Sequence, residues 1–597
     1  MFITDDVHRQ FAEFFEEKNI WPYAYLLSKR LTEGNICISA KEPKSNLEAH
    51  PYSTVIPETD LLKYTKLVSD ASANPTPFVL YNQLLYFQRY FSYETKIIAK
   101  IKELIAFESN TLQQRIHELD SVAALINSLQ TEYDITGLPI NEQIDWQLVS
   151  VLQALLQNFT IITGGPGTGK TTTLAKLLIL LFALHPTARV ALAAPTGKAS
   201  MRMFESLKNS QLNFTAETKA KIEKLKPGTL HSLLGYKKDS VNFKYNENNP
   251  LPFDWVIVDE ASMIDVPMFS KLLGALGSKC RIILLGDKDQ LASVEAGSLL
   301  GDLCQTQASI NEFNLERATW INQFISDTER KVHPDFIKEN QYLLSGHIIE
   351  LKFSHRFNSQ GSIGKISKAI IASDTNTIKD FIDTASDPKL HFDLTYQPKT
   401  LEEFANGYAS FIQEADIATA LKKLNELRVL VAVREGPRGL YAVNRSIETH
   451  LRSKGLLKPD GDFYENRPLM VTKNMYELGL FNGDIGILRY DQNNNLRAWF
   501  EGGDTGIRAI LPAYLTNTET VFAMTIHKSQ GSEFNKVMVI LPDSIDNKLL
   551  TRELLYTAVT RAKTDITIQG TVETIIHAAS CSVERISGIT GRIDDNK

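Results

Sequence analysis

Short apolar runs that stop at turn residues recur along the middle of the chain, each followed by a helical stretch. Phe159-Thr160-Ile161-Ile162, residues 189–194, Trp255-Val256-Ile257-Val258 and residues 281–285 are the clearest. They are continuous rather than alternating, the pattern of strands covered on both faces, and so predict a parallel sheet between helices. A second set begins near Leu351, with its clearest strands at 429–433 and 537–541. Between these, over about 462–520, Gly483, Gly486, Gly502, Gly503 and Gly506 punctuate short strands without helical period, which predicts a small inserted β-barrel. Residues 1–112 read as mostly helical, with aromatic patches such as 81–93 packed inside. The predicted fold is α/β: a helical N-terminal domain (1–112), a first α/β domain (113–350), and a second (351–597) carrying the insertion.

Length supports that division, because 597 residues exceed what a single core accommodates. A hydrophobic fraction of 43% and a charged fraction of 22% are ordinary for a soluble protein. The net charge of -6 excludes nothing, since a basic groove can hide in an acidic total. Cys37, Cys280, Cys304 and Cys581 are too scattered for a zinc ribbon or a disulfide framework. The acidic start lacks a signal-peptide pattern, and the longest apolar run, 177–184, is shorter than a bilayer span. The expectation is a cytoplasmic protein with no membrane contact.

The chemistry concentrates at strand ends. Gly164, Gly165, Pro166, Gly167, Thr168, Gly169, Lys170, Thr171 and Thr172 form a G-x-x-x-x-G-K-[ST] loop between a strand and a helix. Such a loop turns backbone N–H groups toward phosphates, backed by the positive end of the helix. Lys170 is expected to neutralise the β- and γ-phosphates of ATP, and the Thr171 hydroxyl to ligate Mg²⁺. Asp259-Glu260 ends an apolar strand, so Asp259 is expected at the same Mg²⁺ and Glu260 at the attacking water. Gln290, in Leu285-Gly286-Asp287-Lys288-Asp289-Gln290-Leu291, can sense the γ-phosphate. Arg356, in Ser354-His355-Arg356-Phe357, and Arg561, in Tyr556-Thr557-Ala558-Val559-Thr560-Arg561-Ala562-Lys563, offer arginines from the second half of the chain. Arginines reaching across a cleft stabilise transition-state charge and link hydrolysis to closure.

In order, these blocks resemble superfamily 1 helicases and, within them, the RecD family, the α subunit of exonuclease V (RecBCD). The resemblance spans about residues 140–565 and includes Pro195-Thr196-Gly197-Lys198-Ala199, Thr229-Leu230-His231-Ser232 and Thr525-Ile526-His527-Lys528-Ser529-Gln530-Gly531-Ser532-Glu533-Phe534. It implies two RecA-like P-loop domains around an ATP cleft, with adenine read by Gln147, or by the nearby Gln143. It implies that Pro195, Thr196, Lys198, Thr229, His231, Thr525, His527, Lys528, Ser529 and Gln530 face single-stranded DNA, through contacts indifferent to sequence. For His231 and His527, a buried, hydrogen-bonded histidine is the alternative. Within 236–250, the alternating stretch 237–245 suggests a β-hairpin, either a strand-separating pin or a plain exposed turn. The insertion, with Asn482-Gly483-Asp484 at a characteristic turn, corresponds to an SH3-like barrel.

The resemblance further implies a 5′-to-3′ DNA helicase that acts at duplex ends and along single strands. It would work in a heterotrimer with a RecB-like helicase-nuclease and a RecC-like scaffold, in recombinational double-strand-break repair and degradation of linear DNA. The N-terminal domain would be the partner-docking unit. No nuclease constellation is visible in the chain. A free-standing helicase and a non-motor P-loop ATPase switch are the competing readings, separated by behaviour without partners and by DNA-stimulated ATP turnover.

Overall fold

The computed structural model describes all residues except 1–5, 46–49, 53–59, 71–74, 211, 213, 238–239, 241, 294, 340, 357–360, 385–386, 459–460, 503–505, 584 and 596–597. Phe357 and Gly503 therefore lie outside the described residues.

The first parallel sheet comprises β5 (Phe159–Thr163), β6 (Val190–Ala194), β7 (Gly228–Thr229), β8 (Trp255–Val258), β9 (Arg281–Gly286) and β10 (Ile348–Glu350), ordered β10-β5-β9-β8-β6-β7. All its pairs are parallel. Its central strands β5, β6, β8 and β9 are largely apolar because both faces are covered. Phe159, Ile161, Val256, Val258, Ile282 and Leu284 enter one core, whereas Ile162, Trp255, Ile257, Ile283 and Leu285 enter the other. Each such fully buried side chain contributes about 1.5–3 kcal/mol of apolar transfer energy. The second parallel sheet holds β11 (Leu390–Asp393), β12 (Leu427–Val431), β18 (Ala523–Thr525), β19 (Phe534–Ile540) and β20 (Ala562–Gln569), ordered β11-β20-β19-β12-β18.

Residues 468–520 form a third sheet of five antiparallel strands: β13 (Pro468–Val471), β14 (Ile485–Tyr490), β15 (Leu496–Glu501), β16 (Ile507–Ile510) and β17 (Thr518–Thr520). It encloses its own small core of Leu469, Val471, Leu480, Leu488, Ala498 and Phe500. Among the described residues β16 and β17 do not pair, so the expected barrel is an unclosed sheet.

The N-terminal region departs from the expected mostly helical reading. It contains a four-stranded mixed sheet: β1 (Cys37–Ser39), β2 (Val68–Ser69), β3 (Phe78–Tyr81) and β4 (Leu84–Phe87), ordered β1-β4-β3-β2. Asn82 and Gln83 both have positive φ, 48° and 63°, the backbone of a two-residue hairpin turn whose twist suits the flanking strands. The helix Gln88–Glu108 packs on Val266–Gly274 and places Ile97, Ile101 and Leu104 in a core of the first sheet, across the expected boundary at 112. The chain end returns to that core: Ile589 and Ile593 are buried there, and Arg592 pairs with the fully buried Glu94 at 2.7 Å.

The hairpin expected within 236–250 has no paired arms among the described residues; Lys238, Asp239 and Val241 lie outside them. The Lys244 and Tyr245 N–H groups instead donate back to the Gly235 and Leu234 carbonyls, at 2.9 and 3.0 Å, and only Asn246 and Asn249 bridge. No helix among the described residues is long and apolar enough to cross a membrane. All four cysteines are free.

Candidate active site

Strands of one parallel sheet end on one edge, and that edge carries the phosphate loop. Gly167 and Gly169 sit at φ +79° and +88°, and a Cβ on either would meet Arg356 Cβ at 2.3 Å or Gln147 Nε2 at 2.2 Å. Both positions therefore require glycine, for backbone and for space. The loop ends where the helix Lys170–Leu184 begins, leaving its first N–H groups for an anion. Lys170 Nζ donates to the Gly164 and Gly165 carbonyls at 2.6 and 3.2 Å, across the mouth of the loop.

Around it opens a cavity of about 490 Å³, lined by Lys170, Thr171, Asp259, Glu260, Gln290, Arg561 and neighbours. Burial, reinforced by the adjacent Glu260, pushes the Asp259 carboxyl up to about 6. Glu260 holds φ 52°, a left-handed backbone that costs a non-glycine residue about 1–2 kcal/mol. The Gln290 amide donates to Asp287 Oδ2 at 2.7 Å.

Of the two glutamines, Gln147 lines the cavity and Gln143 does not. Gln147 Nε2 donates to the Thr168 carbonyl at 3.1 Å. Its helix is aimed by Asp145, which accepts from Leu148 N at 3.0 Å and from the Thr131 hydroxyl at 2.7 Å. Gln143 is occupied elsewhere, donating to the Leu138 carbonyl at 2.6 Å.

Arg356 and Arg561 both reach the cavity, although not from the same wall. Arg561 follows the helix Arg552–Val559 of the second domain and is buried, with Nε and Nη1 donating to the Thr557 and Ser532 carbonyls, both at 3.1 Å. Arg356 was expected beside it, but its backbone is pinned to the phosphate loop. His355 N donates to the Gly167 carbonyl at 2.9 Å, and the Ser354 hydroxyl to that of Pro166 at 3.2 Å. The connector leaving β10 thus belongs to the first wall, and only the Arg356 side chain crosses, meeting Glu533 at 2.5 Å.

Glu533 was not singled out by sequence. It receives Arg356, Arg202 at 2.6 Å and Lys563 at 3.5 Å. Burial alone would raise its carboxyl, but Arg202 and Arg356 outweigh that and hold it near 2. Arg202 had one sequence signal, its i+4 spacing from Lys198 on the helix Gly197–Lys208.

The residues expected to face DNA fall into two groups. Thr196 and Thr229 cap helices, accepting from Ala199 N at 3.2 Å and Ser232 N at 3.1 Å, beside the partly exposed Pro195 and the exposed His231. Across the cleft, Thr525 is buried at the end of β18, His527 is half-buried, and Lys528 pairs with Glu519 at 2.8 Å. Ser529 is fully buried and donates its hydroxyl to the Ile526 carbonyl at 2.7 Å, so it closes a turn rather than facing outward. Gln530 also turns inward, Nε2 donating to the Leu291 carbonyl at 2.7 Å. Lys198 lies under the turn of the antiparallel sheet, where a Cβ on Gly197 would stand 2.7 Å from the Phe481 ring. Burial lowers its ammonium to about 8, only partly offset by Asp484.

A family model described as an AAA domain matches residues 147–296, and one described as a UvrD-like helicase C-terminal domain matches 520–568. The RecBCD enzyme subunit RecD of Haemophilus influenzae is 32% identical over 96% of this chain and 93% of its own. That of Mycolicibacterium smegmatis is 33% identical over 95% of this chain and 92% of its own. The ATP-dependent RecD2 DNA helicase of Deinococcus radiodurans is 27% identical over 69% of this chain and 47% of its own. The phosphate loop, its acidic neighbours and the arginine segment thus lie within a likeness that runs nearly end to end, and the chain belongs to the RecD family of RecBCD enzyme subunits.

Proposed function

We propose that the chain is an ATP-dependent DNA helicase that moves 5′ to 3′ along a single strand, as one subunit of a RecBCD-type helicase-nuclease. In this role it serves recombinational repair of double-strand breaks and the degradation of linear DNA. The observation that carries the reading is the convergence of Lys170, Asp259 and Gln290 with Arg561 of the other domain in one cavity. Its volume of about 490 Å³ falls within the ordinary range for cofactor pockets.

The residues fit a nucleotide and its metal. Among the described residues the Lys170 ammonium donates to loop carbonyls alone, and this supports its meeting phosphate oxygens instead. Thr171 and Asp259 would hold Mg²⁺ through the hydroxyl and carboxylate oxygens it prefers, and the ion would supply Lewis-acid charge to the phosphates. Glu260 is positioned to orient the attacking water, and Gln290 the terminal phosphate. Arg561 and the crossing side chain of Arg356 balance developing charge as the cleft closes. Thr196, Thr229 and His231 on one domain, and Thr525, His527 and Lys528 on the other, form two grips whose separation changes with the cleft. Lys198, Ser529, Gln530 and Pro195 support those grips from behind.

The two parallel-sheet domains are RecA-like, and the antiparallel sheet serves as the SH3-like insertion. The N-terminal mixed sheet is the unit docking RecB-like or RecC-like partners; its boundary lies near residue 87, because the next helix packs on the first sheet. Likeness of about one third to RecD subunits over nearly their whole length supports the complex-bound reading over the free-standing one.

The test is unwinding of duplexes carrying a 5′ or a 3′ single-stranded tail. ATP-dependent unwinding of the 5′-tailed duplex alone is expected, and unwinding of only the 3′-tailed one refutes the polarity. Co-expression with neighbouring chromosomal genes should yield a single larger species on size exclusion. A fully active monomer refutes the heterotrimer. Gln147→Ala should weaken preference for ATP over GTP roughly tenfold in kcat/KM, the worth of one hydrogen bond of about 1.4 kcal/mol. An unchanged ratio removes Gln147 from base recognition.

A further inference from the structure

The two domains also meet behind Gln290. Asp287, the first residue after β9, is buried, yet its carboxylate has three donors. Oδ1 accepts from Asp289 N at 3.1 Å, and Oδ2 accepts from Gln290 Nε2 at 2.7 Å and from the Tyr556 hydroxyl at 3.2 Å. The first two come from its own loop. Tyr556 comes from the helix Arg552–Val559 of the second domain and is 3% exposed. Its hydroxyl also rests against the phosphate loop, since a Cβ on Gly165 would stand 2.8 Å away.

The next residue is gripped the same way. Leu291 N donates to the Thr557 hydroxyl at 3.0 Å, and the Leu291 carbonyl accepts from Gln530 Nε2 at 2.7 Å. Both donor and acceptor of one peptide segment are therefore held by the opposite domain, and one holder belongs to the segment placed near the DNA strand.

A glutamine side chain has several rotamers, and an amide free to sample them is poorly aimed. Asp287 selects one. A buried carboxylate is itself unstable, and burial pushes this one up to about 6 despite the nearby Lys170. Each hydrogen bond it accepts favours the ionised acceptor that holds Gln290. Only the Tyr556 bond depends on where the second domain stands.

We propose that Tyr556 and Asp287 are positioning residues for Gln290: domain closure delivers the Tyr556 hydroxyl, which fixes the Asp287 carboxylate and aims the Gln290 amide at the terminal phosphate. Leu291 passes the same movement to Gln530. The inference rests on the ATPase reading above. Neither residue touches the reacting atoms, and no bond is made or broken by them.

The test uses the full chain, with its partners if they co-purify, and steady-state ATP turnover at saturating single-stranded DNA. Tyr556→Phe removes one oxygen and keeps the ring. Its kcat should fall roughly tenfold with KM for ATP within about twofold, the pattern of an interaction made in the transition state. Asp287→Asn should do the same, and the double variant should be no slower than the worse single one, because both break one linkage. A Tyr556→Phe kcat within twofold of the parent, a rise in KM alone, or losses that multiply in the double variant overturns the proposal. If Tyr556→Phe lowers the melting midpoint by more than about 5 °C, Asp287→Asn decides by the same kcat and KM criterion. Lys170→Gln is the control: if it leaves turnover intact, the ATPase reading fails rather than this one.

Discussion

Lys170→Gln should lower DNA-stimulated ATP turnover by on the order of a thousandfold and unwinding to background. The ammonium stands at the mouth of the loop, 2.6 Å from the Gly164 carbonyl, held there by weak neutral acceptors that a phosphate replaces readily. Removing its charge leaves the γ-phosphate beside Asp259 and Glu260, which line the same cavity, with less compensation. Glutamine is one atom shorter but keeps an N–H donor that can still meet the loop carbonyls, so the loss reports charge rather than collapse of the loop. Single-stranded DNA binding should survive, because the residues proposed to face the strand lie elsewhere. ATPase assays with and without DNA, beside fluorescence anisotropy of a labelled oligonucleotide, check both halves. Retention of even a tenth of the parental turnover would mean that this loop does not power the protein.

Much of this site was legible because its chemistry obeys local rules. A glycine-rich loop between a strand and a helix, and an acidic pair ending an apolar strand, each carry their geometry in adjacent residues. The two parallel sheets were legible for the same reason: strands such as β5 and β8 have no polar face to hide. What was not legible depends on partners distant in sequence. Glu533 gathers Arg202, Arg356 and Lys563 from three segments, and no spacing announces that meeting. Arg356 looked like part of the second wall because its block follows the first domain; the bond from His355 N to Gly167 assigns its backbone to the first. Ser529 and Gln530 read as outward polar groups, whereas the turn after β18 folds both inward. In the N-terminal region, aromatics around Asn82-Gln83 suggested helical packing. The missed signal was that pair itself, flanked by apolar runs of four residues in β3 and β4.

Arg561→Lys should separate binding from catalysis, with kcat reduced on the order of a thousandfold and ATP affinity within about threefold. Arg561 is buried, and its two carbonyl bonds, to Thr557 and Ser532, use different nitrogens of one planar fork. A lysine keeps the charge but has a single nitrogen, which cannot satisfy both carbonyls and also reach the cavity. Alanine would be a poorer test, because it leaves a void and two unpartnered carbonyls that destabilise the fold. In the proposed mechanism the Arg561 guanidinium, carried by the second domain, acts on the transition state only when the cleft is closed. Ground-state binding, governed by the loop and Gln147 on the first domain, should scarcely change. Arg356→Lys should behave differently: its backbone is tied to the phosphate loop, and its ion pair with Glu533 bridges the walls directly. That substitution should raise KM and lower kcat together, by less than Arg561→Lys lowers kcat alone. Equilibrium binding of a fluorescent ATP analogue alongside turnover distinguishes the two, and a large loss of analogue affinity in Arg561→Lys would reassign Arg561 from transition-state stabilisation to substrate binding.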